Sequence, residues 1–168
     1  MKKLLLITGL ILLSFLLSNV ALAQDKEKGE TLNNISKLSK SKKPEDKAKA
    51  FQLTKDYLAK YGKDTDENTK KVQAYFKSER LNNFIKAIDD IKIAEAIEIG
   101  EEISIDEPDN SYIPLNLAFG AFQALSKNKD KQYINDGINY AKKALEMFEA
   151  GKLPAKFEPF KNKDDATA

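Results

Sequence analysis

The stretch from Ile134 to Phe148, INDGINYAKKALEMF, decides the fold class. Ile134, Ile138, Ala141, Leu145 and Phe148 lie 0, 4, 7, 11 and 14 positions from its start, the period of a helix with one apolar side. Gly151 stops this helix, and Pro154 and Pro159 forbid its continuation. Upstream, Asp109, Asn110 and Ser111 offer N-caps for a helix carrying Leu117, Ala118, Ala121, Phe122 and Leu125, with Pro114 tolerated in its first turn. Ile93, Ala96, Ile97, Gly100 and Ile103 form a third set that ends before Pro108. Val72, Phe76, Leu81, Phe84, Ile85 and Ile88 form a fourth, capped by Asp66 and running to Asp89 and Asp90. Pro44 opens a helix bearing Ala48, Phe51, Leu58 and Tyr61, and Gly62 closes it. No window alternates as a half-buried strand does, so the class expected is all-α, with one helical domain over 44–160.

The residues before that domain read as an address and a leader. Lys2 and Lys3 precede an apolar run from Leu4 to Leu17, and Ala21 and Ala23 suit a signal peptidase site, so residues 1–23 are expected to be a signal peptide cleaved after Ala23. The alternative is an uncleaved anchor from Leu4 to Ala23. Cleavage implies a periplasmic or secreted protein with no stable membrane insertion. From 24 to 43 only Leu32, Ile35 and Leu38 are large and apolar beyond the processing site, so this segment is expected to be a flexible, solvated leader with at most a turn or two of helix on contact.

Composition removes most chemistry. The chain has no cysteine, histidine or tryptophan, hence no disulfide, thiolate or imidazole for catalysis or metal binding. Lys2 and Lys3 account for the whole charge excess, leaving the remaining chain neutral, and Arg80 is its single arginine. Nothing in that distribution suits nucleic acid or an anionic membrane. Adjacent carboxylates such as Glu101 and Glu102, or Asp89 and Asp90, point apart on a helix and do not converge as an acid and base. Phosphate loops and nucleophile elbows are absent, so no enzyme, no cofactor and no metal are expected, and a carboxylate hydrolase ranks last. Asp64 to Asn68 opens like a calcium loop, but Thr69 and Tyr75 occupy the positions that need glycine and glutamate, so helix capping is the reading taken. Asp106, Glu107 and Asp109 around Pro108 are likewise assigned to starting the next helix.

Repeats emerge when the helices are aligned. Ala96, Gly100, Ile103 and Pro108 share their offsets with Ala50, Thr54, Tyr57 and Gly62, and Gly137, Ala141 and Ala144 repeat the first three. Leu81, Asn82 and Ala87 recur 34 residues later as Leu115, Asn116 and Ala121. Small residues on one stripe let helix axes approach closely. Together with AIEIGEEISIDEPDN from Ala96 to Asn110, this pattern resembles the tetratricopeptide repeat in divergent form. Pro114 departs from the family's tryptophan, and the next small triad follows after 41 residues instead of 34. A generic helical bundle is the alternative.

The resemblance implies stacked antiparallel hairpins forming a noncovalent protein or peptide binding module in the bacterial envelope. The other reading is a structural or assembly subunit that packs its exposed helices on other chains, self-association included. Asn82 aligned on Asn116 and Ile85 on Phe119, extended by Tyr112 and Gln123, would line the peptide groove with amides and apolar side chains. Phe122 and Phe148 are assigned to the core. Residues 161–168 read as a tail or as the capped start of a further helix, which would leave the last apolar stripe for a partner to cover.

Overall fold

The computed structural model describes residues 26–167, and among them all regular structure is helical. Helix α1 covers 26–39, followed by α2 (Pro44–Tyr61), α3 (Glu67–Asp89), α4 (Ile93–Asp106), α5 (Tyr112–Asn128), α6 (Ile134–Glu149) and a short α7 (Lys163–Thr167). The proposed signal peptide and its cleavage site lie outside the described residues. Among the described residues no helix is long and apolar enough to cross a membrane. The chain divides into two compact units, one up to Phe76 and one from Lys77, a boundary inside α3 and inside the span read above as one domain.

The first unit corrects the expectation of a flexible leader over 24–43. Residues 26–39 are helical, and Ile35 is only 5% exposed in a cluster with Tyr57, Tyr61 and Val72. Leu32, whose spacing from Ile35 is one helical turn, packs on the same cluster. A polar clasp adds to this apolar contact: Lys28 Nζ donates to Asp64 at 2.6 Å and to Asp66 at 2.8 Å. Asp66 also caps α3, accepting from the backbone N–H of Asn68 and Thr69, and the Thr69 hydroxyl meets that of Tyr57 at 2.9 Å. The calcium-loop look-alike is therefore a helix cap and an anchor for α1. Its lysine and hydroxyl partners hold Asp66 well below the usual carboxylate range, and Asp64 and Asp66 raise Lys28.

In the second unit, α5 is the central helix and is buried on most sides, Ile113 to Leu117 without a break. It packs against α4 and, more extensively, α6. Phe84, Ala96, Ile103, Ile113 and Leu117 form the core where α3, α4 and α5 meet. Small residues permit the close approaches, as their stripe predicts. A Cβ on Gly100 would stand 3.1 Å from Phe84, Ile113 and Leu117, and one on Gly137 only 2.8 Å from the Ala121 methyl. The acidic turn has a different use from the expected one. Asp106 pairs with the buried Arg80 at 2.7 Å, Glu107 with Lys77 at 3.3 Å and Asp109 with Lys152 at 2.7 Å. The chain's single arginine is thus structural.

Helices α3 and α6 end in the same hydrogen-bonded closure, in which the second residue after the helix turns left-handed and two N–H groups bond back to the last turn. Gly151 does this after α6 with φ 78°. Ile91 does it after α3 at φ 57°, and Lys129, directly after α5, is also left-handed at φ 58°, both against the preference of residues bearing a Cβ. The closing bonds of α3 and α6 are alike, Lys92 N–H to Ala87 O at 2.8 Å and Lys152 N–H to Met147 O at 2.9 Å, each reaching back five residues, whereas Asp130 N–H after α5 reaches back six, to Ala124 O at 3.1 Å.

Candidate functional site

The row of residues expected to line a peptide groove is not presented as one surface. Asn116 is 5% exposed, and its Nδ2 donates to the Tyr112 carbonyl oxygen one turn back at 2.9 Å. Gln123 is buried, with its Oε1 taken by the Lys127 ammonium. Ile85, Tyr112 and Phe119 are half-buried and pack on the core cluster, where burial pushes the Tyr112 phenol up. Asn82 alone of the six is exposed, lying 3.5 Å from Glu79 Oε1. The physical reason is the central position of α5. A helix with neighbours on several sides leaves little of its circumference for a ligand, and its amides turn inward to bond locally.

A different surface collects unsatisfied apolar area. Phe122, assigned above to the core, is 63% exposed, while Ile138 and Leu145 of the opening stripe are 48% and 42% exposed. On α6 the small triad marks the buried side: Ala144 and Phe148 are buried, and Gly137 faces Ala121. The larger residues Ile138 and Leu145 lie around the helix from it, and the apolar arc is wider than the seam it fills. Phe148 does belong to the core, as expected, with its ring edge on Phe157 at 5.7 Å.

Phe122 stands between two depressions of the α5–α6 face. One, of about 330 Å³, is lined by Ala118, Phe119, Ala141, Leu145 and Phe148, and is closed at one end by Phe160 and Ala166 of the C-terminal segment. The other, of about 260 Å³, is lined by Ala121, Leu125, Ile134, Gly137 and Ile138. Alanine and glycine form the floors and larger side chains the walls. The C-terminal segment is held there by aromatic contacts, with Phe160 edge-on to Phe119 at 5.6 Å, and α7 presses Ala166 onto the cluster of Leu115, Ala144 and Phe148. Asn162 caps this short helix through Asp165 N–H at 3.0 Å. The signal for this surface is present in the sequence as the excess of large apolar residues on α6, but the pattern does not say which of them the fold leaves outside.

Comparison with known proteins adds no template, since no family model, curated protein or solved structure matches the chain.

Proposed function

We propose that the protein is an exported, noncovalent protein-binding module of tetratricopeptide-like helical hairpins, and that its α5–α6 face receives an amphipathic helix of a partner protein. The observation that carries this reading is the exposed apolar row of Phe122, Ile138 and Leu145, with a depression on either side of Phe122. Contiguous exposed apolar surface of this kind characterises interaction sites. A partner helix presents side chains at i, i+3, i+4 and i+7, so successive anchors can enter the two depressions in turn. The chain supplies its own precedent at one end of the face, where the helical residues around Ala166 already lie on it. Consecutive packing of α4, α5 and α6, with small residues at the crossings, agrees with hairpins to which one more helix is added. The envelope location rests on the sequence of residues 1–23.

A photo-crosslinking phenylalanine analogue at position 122, introduced in the native host, tests the partner directly. The expected product joins residue 122 to an amphipathic helical segment of a different protein, and Leu145→Lys abolishes it while leaving helicity unchanged. Crosslinks solely between copies of this chain would instead establish the assembly-subunit reading. Intact mass of the product reads out the N-terminus as well, expected at Gln24.

A further inference from the structure

The second unit holds another recess, of about 420 Å³, to which α4, α5 and α6 each contribute one face. Glu101, Ser104 and Ile105 come from successive turns of α4, Ile113, Pro114 and Leu117 from α5, and Tyr140 and Lys143 from α6. The volume falls in the range of small-ligand sites. Its floor is apolar, and its two walls carry opposite charges. Glu101 is held in place by the Tyr140 hydroxyl, which donates to its Oε1 at 3.2 Å. Burial and the Glu101 charge push the Tyr140 phenol up to about 12, so that it remains a donor throughout the neutral range. Lys143 lies one turn further along α6 and pairs with no carboxylate among the described residues. Ile105, 80% exposed, is the most exposed large apolar side chain among the described residues and lines this recess. Core packing does not account for it.

We infer that this recess is a binding site for a short zwitterionic peptide with apolar side chains, its ammonium on Glu101, its carboxylate on Lys143 and its side chains on the Ile113, Pro114 and Leu117 floor under Ile105. The opposite charges stand on different helices, Glu101 on α4 and Lys143 on α6, and share the recess with the apolar residues of α5, so a ligand that meets all three carries an ammonium and a carboxylate at the two ends of an apolar body. The charged ends fix direction, and the floor supplies apolar contact without demanding one particular side chain. The site does not depend on the α5–α6 face, and Phe122→Asp leaves it intact.

Calorimetric titration of the purified protein with leucyl-leucine, N-acetyl-leucyl-leucine and leucyl-leucinamide tests the assignment. Leucyl-leucine is expected to saturate a single site, and each blocked peptide to bind at least about ten-fold more weakly. Lys143→Met should erase the discrimination against the amide, and Glu101→Gln the discrimination against the acetylated peptide. Both positions are exposed, so circular dichroism should show the variants folded. Equal binding of all three peptides, or no heat with leucyl-leucine up to about 10 mM, would overturn the proposal.

Discussion

Helix α1 and the α5–α6 hairpin make opposite use of their apolar residues. Helix α1 has few of them and buries what it has, Ile35 fully and Leu32 in part, while Lys28 fastens its N-terminal end to two carboxylates. Helices α5 and α6 are rich in them and leave Phe122, Ile138 and Leu145 outside. Hydrophobic content therefore does not rank these regions by how completely they are closed. What matters is whether a helix has a neighbour on each apolar side, together with polar contacts that fix its place.

The largest effect expected from this contrast comes from placing a carboxylate in each region. Ile35→Asp should cost about 3 kcal/mol, because a charge without a partner is forced into a buried cluster, and amide exchange should rise across 26–39. Phe122→Asp should change stability by no more than about 0.5 kcal/mol in urea melts, since it replaces an exposed ring. Equal costs at the two positions would mean that the α5–α6 face is covered within the folded chain, and the contrast would collapse.

A smaller effect separates the helix closures. Gly151→Ala should lose about 1 kcal/mol, since the added Cβ meets nothing within 4 Å and the penalty is that of a left-handed backbone alone. Ile91→Gly, which relieves a β-branched residue in that same conformation, should not lose stability through the backbone; any loss in thermal melts measures the packing of its half-buried side chain.

The smallest effect is the pH dependence of the clasp on α1. Asp66 is depressed chiefly by Lys28, so its contribution is present above the ordinary carboxylate range and is lost as pH falls through and below it. Lys28 is raised by Asp64 and Asp66, so its contribution is present below the ordinary lysine value of 10.5 and is lost as pH rises past it. Protection of the 26–39 amides should accordingly be flat through neutrality and decline toward about pH 3. Lys28→Met should remove much of that decline, whereas protection in α6 should be insensitive to the substitution.

The all-helical class and most helix boundaries were legible in the sequence, because periodicity, Pro44, Asp66 and Gly151 act through local geometry that a single chain segment carries. The close approach at Gly100 and Gly137 was legible too, since the absence of side chain is itself the signal. The left-handed closures at Ile91 and Lys129 were not, because neither residue type favours them and the hydrogen bonds that hold them form only once the helix has ended. Helix α1 escaped notice because three spaced apolar residues among charges describe a solvated segment until Tyr57, Tyr61 and Val72 offer a surface to cover. Asn116 and Gln123 were misplaced for the reverse reason: polar residues at a repeating interval look available, but a helix with neighbours on most sides turns them inward. Sequence determined which residues can share a helix face. Tertiary packing decided which faces found a neighbour, because burial depends on surfaces contributed by residues distant in the chain.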